Sequence, residues 1–437
     1  MSARETALNV LLAVRRQDAW SNGVLKEYIA RDGLDRRDAA LATRLCYGVL
    51  QNRNKLDFYL AQLLTGKVKD LHPGVRDILH LGLYQILEMD KIPASAAVNE
   101  SVALAKKYCK KQRFAPGLVN AVLRKAVDSG AALLPPRSYV DKYSHPQKLV
   151  DLLKENVGKE HLEAMLIANN AQPDTTVQVN TLKTDAAALA AALQAEGVQV
   201  SPHGWMENTL VLSGTGNLEK LAAFRDGLFY VQDPAAKLSV DCARLQPGMQ
   251  VLDCCAAPGG KSFAAAMAMG NKGSITSCDI HAHKTGLIES GALRLGMQII
   301  SARQQDAAIF VPEWENAMDA VICDVPCSGY GIIRKKPDIR QKDPDSMLEL
   351  PQLQLRILLN QARYVRPGGV LLYSTCTVLR RENEDVVEAF LAERDDYTLE
   401  KLPLPANFPE NESGMLTLVP GQYDTDGFFI AKLRRKA

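Results

Sequence analysis

Residues 251–262 of this 437-residue chain read VLDCCAAPGGKS, an apolar run followed by small residues. An apolar strand ends at Asp253 and passes into a turn of small residues that opens a helix. Small residues at this point of an α/β sheet let a nucleotide approach the backbone and the N-terminus of the next helix. The turn consists of Ala256, Ala257, Pro258, Gly259, Gly260 and Lys261. We therefore predict a nucleotide-type cofactor site here.

This turn matches neither of the two common glycine loops that bind nucleotides. It lacks the G-x-G-x-x-G spacing of dinucleotide sites. Where a P-loop has its earlier glycine, this chain has Cys255. A nucleoside triphosphate is therefore not the expected ligand. The remaining alternative is a glycine-rich turn that binds nothing.

Short apolar strands alternate with helices from about residue 236 onwards. The strands read MQVLDCC, SITSCDI, QIISARQQD, MDAVICDVPCS and GGVLLYSTCT. This alternation predicts a doubly wound, mostly parallel sheet, a Rossmann-like α/β fold, over residues 236–437. Residues 138–235 mix short strands with helices, which predicts a small α+β unit.

The first 137 residues read as helices, because apolar residues recur three and four positions apart. They carry 22 Lys and Arg against 13 Asp and Glu, a net charge of +9, whereas the remaining 300 residues have a net charge of −7. The asymmetry favours a surface for nucleic acid, with a solvated helix face as the alternative. The densest basic run comprises Lys106, Lys107, Lys110, Lys111 and Arg113.

The composition argues against a membrane protein and against a disulfide-built one. No apolar run reaches the roughly 18 residues that cross a bilayer. The first residues lack the basic-then-apolar pattern of a signal peptide. Nine cysteines stand singly or within motifs, which is typical of a reducing setting. We expect a cytoplasmic protein that has no membrane partner.

Two further carboxylates follow successive strands of the predicted sheet. Asp279 ends SITSCDI about 20 positions beyond the glycine turn, where a carboxylate can hydrogen-bond ribose hydroxyls. Asp306 follows the next strand, where a carboxylate could accept from the amino group of adenine. Each of these residues alone is more often a cap or turn residue. Together with Asp253 at the same sheet edge, they favour a bound ligand.

Two cysteines end the fourth and fifth strands, Cys327 in DVPCSG and Cys376 in YSTCTV. A lone strand-end cysteine is usually a small buried apolar residue. A pair at the ligand-binding edge suits covalent catalysis on a pyrimidine, since a thiolate that adds to carbon 6 of cytosine lets carbon 5 attack a methyl sulfonium. Methylation of nitrogen or oxygen needs no such cysteine. The residues themselves leave open which cysteine attacks.

These motifs resemble the Nop/Sun family of RNA cytosine-5 methyltransferases. The matching segments are VLDCCAAPGGK, DVPCSG followed by GIIRKKPDIR, YSTCTV followed by ENE, and DGFFIAKLRR. The N-terminal third resembles the all-α NusB-like RNA-binding domain, and the middle resembles an RRM-like subdomain. The resemblance covers essentially the whole chain. It implies three domains at about 1–137, 138–235 and 236–437, the last a class I methyltransferase domain.

The resemblance implies a role for each candidate residue. Cys376 is implied as the nucleophile, Cys327 acts in product release, and Asp324 steadies the target base. It implies S-adenosyl-L-methionine as cofactor and 16S rRNA as substrate, with no metal. We expect a monomer that does not act on DNA. The residues implied to hold the cofactor are Cys255, Ala256, Ala257, Pro258, Gly259, Gly260, Lys261, Asp279, Asp306 and Asp324.

Three positions depart from the family pattern. Gln178 stands where the family usually has Arg, Thr377 where it usually has Ser, and Lys336 where it prefers His or Asn. If the Arg grips RNA, the grip here is weaker or comes from elsewhere. None of the three removes a catalytic group. Two alternatives remain: the same chemistry on tRNA or large-subunit rRNA, or a non-catalytic RNA-binding assembly factor, against which the intact motifs argue.

Overall fold

The computed structural model describes residues 1–17, 21–409 and 411–437. The chain divides into two compact units. The first comprises Met1–Lys154 together with Ile333–Asp343, and the second comprises Glu155–Ile332 together with Pro344–Ala437. Among the helices in the described ranges, none is both long and apolar enough to cross a membrane.

The first unit is helical, as the apolar spacing predicts. Each helix turns one apolar face inward, and Leu8, Leu45 and Leu79 are completely buried in the shared core. The Asp35 carboxylate accepts the Asp38 N–H at 2.8 Å and so caps the third helix. The helices of this part of the chain are Ala3–Gln17 (α1), Ser21–Arg31 (α2), Arg36–Leu63 (α3), Pro73–Glu88 (α4), Ala94–Tyr108 (α5), Ala115–Ser129 (α6) and Tyr139–Lys142 (α7), with Gln147–Val157 (α8) and Lys159–Asn170 (α9) following.

A segment from between the two cysteines, residues 333–343, folds with the first unit. The Asp338 carboxylate accepts hydrogen bonds from the backbone N–H and the hydroxyl of Ser21 at 3.0 and 2.6 Å. Arg340 is completely buried and donates to the carbonyl oxygen of Gln51 at 2.8 Å. Burial lowers the pKa of Arg340 to about 9. The sequence pattern contains no sign of this placement.

The middle of the chain forms a four-stranded antiparallel sheet, which confirms the predicted α+β region. The spatial order of its strands is β2-β3-β1-β4. Alternate residues of the strands, such as Val177 and Val179, are buried in one small core with Leu189 and Leu193. The elements are Thr175–Val179 (β1), Ala186–Ala195 (α10), Gln199–Pro202 (β2), Thr209–Ser213 (β3), Ala222–Arg225 (α11) and Phe229–Val231 (β4).

Gln178, one of the three departures from the pattern of the family that the chain resembles, is completely buried in this sheet. Its Nε2 donates to the carbonyl oxygen of Gln232 at 3.1 Å, and its Oε1 accepts from Thr209 Oγ1 at 2.6 Å. The side chain therefore supports the segment that leads to Gln232 and is not part of the protein surface.

The C-terminal part of the chain forms an eight-stranded mixed sheet. Five parallel strands in the order β9-β8-β5-β6-β7 confirm the predicted Rossmann-like core. Three antiparallel strands extend the β9 edge, with β12 between β9 and β10 and β11 paired to β12. The strands are Gln250–Asp253 (β5), Ser274–Asp279 (β6), Ile300–Gln304 (β7), Met318–Asp324 (β8), Val365–Thr375 (β9), Tyr397–Leu399 (β10), Met415–Leu418 (β11) and Phe428–Arg435 (β12).

Helices cover both faces of this sheet. Val251 and Ile322 lie in one apolar cluster, whereas their chain neighbours Leu252 and Val321 lie in another. Burial on both faces explains why these strands read as continuous apolar runs. The parallel strands consequently bring their carboxyl ends, and the residues that follow, to one edge. The helices are Pro234–Ala243 (α12), Gly260–Ala268 (α13), Ala282–Leu295 (α14), Leu350–Ala362 (α15) and Glu384–Glu393 (α16).

Candidate active site

A cavity opens at the carboxyl edge of the parallel strands, beside the turn between β5 and α13. Open α/β sheets bind their ligands at this edge. Five of the six turn residues singled out from the sequence contribute to the lining, as does Asp324. The lining residues are Val231, Gln232, Ala236, Asp253, Cys255, Ala256, Ala257, Pro258, Gly260, Lys261 and Asp324.

Gly259 lies just before α13 and shows why this turn requires glycine. Its φ of +113° belongs to the left-handed region that side chains disfavour. A Cβ at this position would also lie 2.5 Å from the Phe263 ring. The glycine therefore lets the chain turn tightly from the strand into the helix.

Asp253 is completely buried at the end of β5. Ser262 Oγ donates to its Oδ2 at 2.7 Å, whereas Oδ1 has no hydrogen-bond partner among the described residues. Burial raises the pKa of Asp253 to about 7, because removal from water disfavours the charged form. A buried carboxyl with one open oxygen in a cavity wall can hydrogen-bond a ligand.

Asp324 ends β8 and is held by two side chains from different segments. Lys261 Nζ lies 2.7 Å from Asp324 Oδ2, and Ser374 Oγ donates to Oδ1 at 2.8 Å. The lysine ammonium also stands 5.0 Å from the centroid of the Phe428 ring. The carboxylate is thus fixed at the junction of the cavity and the cysteine-bearing loops.

Asp279 and Asp306 lie at the ends of the next two strands but outside the set of described residues that line the cavity. Asp279 Oδ1 accepts the His281 N–H at 3.0 Å, and Asp306 Oδ1 accepts the Ala308 N–H at 2.9 Å. Each carboxylate therefore stabilises the turn after its strand. Both of these hydrogen bonds use Oδ1, so Oδ2 remains able to accept from a ligand.

The structure brings the two cysteines together. Their Sγ atoms are 3.0 Å apart, and the backbone N–H of Cys376 donates to Cys327 Sγ at 3.3 Å. Both thiols are half-buried and free of disulfides. The hydrogen bond with Cys376, together with burial, raises the pKa of Cys327 well above its ordinary value. At the 3.0 Å separation of the two sulfur atoms, Cys327 can donate its S–H to Cys376 Sγ.

Two residues of the site were not predicted from the sequence. Gln232 lines the cavity and accepts from the Tyr230 hydroxyl at 3.0 Å. Glu382 is completely buried, and its Oε2 accepts the Ser328 N–H at 2.8 Å, next to Cys327. The only sequence signal for Glu382 is the ENE that follows YSTCTV, whereas no pattern distinguishes Gln232.

Family models match three successive parts of the chain. The model described as 16S rRNA methyltransferase RsmB/F matches residues 242–434. The NusB family matches residues 1–128, and the Methyltr_RsmF/B-like, ferredoxin-like domain matches residues 145–219. The all-α N-terminal region and the small α+β region thus each have a family counterpart.

Relatives match over the full length. The chain is 37% identical to "Probable ribosomal RNA small subunit methyltransferase B" of Bacillus subtilis, covering 100% of this chain and 99% of that protein. It is 34% identical to "Ribosomal RNA small subunit methyltransferase B" of Pseudomonas putida, covering 99% and 98%. The solved structure of PH0851 superposes with a TM-score of 0.82 at 26% identity, covering 99% and 98%. The chain belongs to the RsmB/F family of 16S rRNA methyltransferases.

Proposed function

We propose that this protein transfers a methyl group from S-adenosyl-L-methionine to carbon 5 of a cytosine in 16S rRNA through a covalent adduct with Cys376. The observation that carries the proposal is the pair of free thiols 3.0 Å apart. Cys327 follows the strand that ends in Asp324, and Asp324 also lines the cavity next to the glycine turn. Methyl transfer to nitrogen or oxygen requires no such pair.

The cavity fits a nucleoside-type methyl donor. Asp253 lines the cavity, and its Oδ1 has no hydrogen-bond partner among the described residues. The small residues of the turn leave the backbone accessible. Asp279 and Asp306 each keep one oxygen that can accept from ribose hydroxyls or an adenine amino group. When bound, S-adenosyl-L-methionine supplies a methyl group on a sulfonium. The residues that would hold it are Cys255, Ala256, Ala257, Pro258, Gly259, Gly260, Lys261, Asp279, Asp306 and Asp324.

Cys376 is the attacking residue in this proposal. As a thiolate, its sulfur forms a bond to carbon 6 of the cytosine, and the electron pair of the 5,6 double bond moves to make carbon 5 nucleophilic. After methylation, a base must take the proton from carbon 5. The electron pair of that C–H bond then re-forms the 5,6 double bond, and Cys376 leaves carbon 6 as a thiolate with the electron pair of the C–S bond. Cys327 Sγ lies 3.0 Å from Cys376 Sγ, so it can donate its S–H to the departing sulfur and assist release.

Asp324 steadies the target base beside these thiols. Lys261 and Ser374 each hold one of its oxygens, so the carboxylate cannot rotate freely. A fixed carboxylate can accept a hydrogen bond from the amino group of cytosine, which also discriminates against uracil. A target base that is paired in a helix must first flip out to reach this edge.

The assignment of 16S rRNA rests on the family and on the names of the full-length relatives. The basic run of the first unit supports an RNA partner. Lys106, Lys110, Lys111 and Arg113 are exposed, and the neighbouring Phe114 is 63% exposed. Cations around an open aromatic ring suit phosphates and an unpaired base. We further propose that the protein is cytoplasmic and monomeric. Light scattering can test the monomeric state.

The decisive experiment assays the Cys376→Ala protein with methyl-labelled donor and small-subunit rRNA. We expect no transfer, whereas Cys109→Ala, which removes a buried cysteine from the first unit, keeps full activity. Cys327→Ala should accumulate a covalent RNA adduct that survives denaturing electrophoresis. Undiminished transfer by Cys376→Ala would show that this residue is not the nucleophile.

Substrate choice needs its own measurement. Bisulfite mapping of methylated cytosines in a deletion strain should lose one signal in 16S rRNA and regain it on complementation. If the signal is lost from tRNA or large-subunit rRNA instead, that RNA is the substrate of the same reaction. Calorimetric titration without any binding of S-adenosyl-L-methionine would favour a non-catalytic assembly factor.

A further inference from the structure

Glu382 and Asn383 lie between Cys376 and α16, and both are completely buried. Carboxylates are rarely buried without hydrogen-bond partners, because their removal from water is costly. Neither residue is among the described residues that line the cofactor cavity. The two neighbours make hydrogen bonds to different cysteine-bearing segments.

Glu382 holds the segment around Cys327 from both sides. Its Oε2 accepts the Ser328 N–H at 2.8 Å and the Gln354 side-chain amide at 3.0 Å. The same Gln354 amide donates to the carbonyl oxygen of Pro326 at 3.0 Å. The residues immediately before and after Cys327 are thus fixed by one carboxylate and its amide partner.

Asn383 holds the segment around Cys376 in the same way. Its Oδ1 accepts from Thr375 Oγ1 at 2.6 Å, and its Nδ2 donates to the carbonyl oxygen of Thr377 at 3.1 Å. The residues immediately before and after Cys376 are therefore both bound to one amide side chain. A shift of Asn383 would move the thiol with it.

We infer that Glu382 and Asn383 are positioning residues that together set the separation of the two thiols, and that the Glu382 carboxylate, hydrogen-bonded beside Cys327, leaves Cys376 the more reactive thiol. The inference rests on the proposed function, in which Cys376 is the attacking residue. It does not depend on which RNA is the substrate. Because the two residues are adjacent in the chain, any movement of one is transmitted to the other.

The charges around Cys327 agree with this role. The hydrogen bond with Cys376 and burial raise the pKa of the Cys327 thiol most, and the nearby Glu382 and Asp324 carboxyl groups raise it further. The Tyr373 ring also faces this group, and its hydroxyl donates to the carbonyl oxygen of Glu382 at 2.6 Å. Removal of the Glu382 charge should therefore lower the pKa of Cys327 and release its proton more readily.

The test compares the alkylation of the two cysteines by iodoacetamide in the full-length protein between pH 6 and 9. Peptide mass spectrometry gives separate rates for Cys327 and Cys376. In the unmodified chain we expect Cys376 to react faster. In Glu382→Gln, which keeps the shape but loses the charge, labelling of Cys327 should rise severalfold at a given pH.

Glu384→Gln is the matched control, because it removes a carboxylate two positions away whose side chain contacts Thr417 at 3.0 Å. It should leave both labelling rates unchanged. An unaltered ratio of the two rates in a folded Glu382→Gln protein would overturn the inference. Labelling requires no methyl transfer, so this result stands even if the proposed function fails.

Asn383→Ala provides a second test if Glu382→Gln does not fold. It should lower the labelling rate of Cys376 and the kcat of methyl transfer without raising the KM for RNA. Thr375→Val breaks the same hydrogen bond and should cause a similar loss. The double variant Thr375→Val/Asn383→Ala should lose little more kcat and Cys376 labelling than either single variant, because the two side chains act as one unit. Fully additive losses would contradict the positioning role.

Discussion

Lys261 Nζ lies 2.7 Å from Asp324 Oδ2, so one ion pair joins the start of α13 to the end of β8. Ser374, at the end of β9, holds the other oxygen of the same carboxylate at 2.8 Å. Three segments that carry the cofactor turn and lead into the two cysteine loops therefore meet at Asp324. In the proposed mechanism, the methyl donor and the attacking thiol can be aligned only if this junction is rigid.

Lys261→Met should uncouple the junction. The variant keeps the length of the side chain but leaves Asp324 without its cation, and charged hydrogen bonds are worth roughly 1.5–3 kcal/mol. We expect kcat for methyl transfer to fall by about tenfold or more. Radiometric assays measure this directly. Lys272→Met, at an exposed lysine of the same unit, should have no effect, and an equal loss in both variants would contradict the proposed role.

The buried carboxyl of Asp253 predicts an unusual dependence of stability on pH. Its pKa in the folded protein is about 7, against an ordinary value of 3.8. Between about pH 4 and 7 the folded protein keeps a proton that the unfolded chain has released. The free energy of unfolding should therefore decrease as the pH rises through this window, by up to about 4 kcal/mol.

Asp253→Asn should remove this component, because the amide cannot ionise and its oxygen can still accept from Ser262. Urea unfolding at pH 5 and pH 8 checks the prediction. We expect a smaller difference between the two pH values in the variant than in the unmodified protein. The exposed Asp174→Asn serves as the control. If Asp253→Asn and the unmodified protein lose stability equally, the carboxyl is ionised throughout.

The sequence is sufficient to predict the strand ends. Asp253 and Asp324 end short apolar runs and Cys376 follows another; such runs indicate buried strands, and parallel strands bring their carboxyl ends to the same edge. The pattern of apolar residues does not show which side chains come into contact at this edge. The 3.0 Å approach of Cys327 to Cys376 depends on loop conformations 49 positions apart in the chain. Residue spacing carries no information about such a distance.

Long-range burial is also beyond the sequence. The basic appearance of GIIRKKPDIR suggests an exposed loop, yet Arg340 within it is completely buried and bonded to the carbonyl of Gln51. A buried arginine finds its acceptors in backbone carbonyls, which every residue type offers. The position of Gln178 in the family pattern likewise suggests an altered contact with RNA, although its two hydrogen bonds lie inside the middle sheet.

Gly331→Ala should disable the site while leaving the fold largely intact. The N–H of Gly331 donates to the carbonyl oxygen of Cys376 at 3.0 Å, and its own carbonyl accepts the Gly427 N–H at 2.8 Å. An added Cβ would lie 2.0 Å from the Gly427 carbonyl oxygen. We expect a loss of about 1–3 kcal/mol of stability from the overpacking, and a nearly complete loss of methyl transfer.

Gly286→Ala is the matched control for that change. Gly286 is exposed within α14, and a Cβ added there would have no described neighbour within 4 Å. Alanine at such a helical site should stabilise the protein by roughly 0.5–1 kcal/mol. Thermal melting and the radiometric assay together separate the two variants. Full activity in Gly331→Ala would show that the chain can shift without moving Cys376.

The basic turn between α5 and α6 predicts how RNA affinity depends on salt. Lys110, Lys111 and Arg113 are exposed beside Phe114. Each phosphate that a cation neutralises contributes about 0.7–0.9 to the slope of log affinity against log salt. Replacement of the three cations by glutamine should therefore weaken RNA binding and reduce this slope by about 2.

Fluorescence anisotropy with a 16S rRNA fragment between roughly 50 and 200 mM salt measures both quantities. Exchange of lysine for arginine, and of arginine for lysine, keeps the charge and should preserve the slope. If the glutamine variant keeps the slope as well, these cations only solvate a helix end, and RNA contacts another surface.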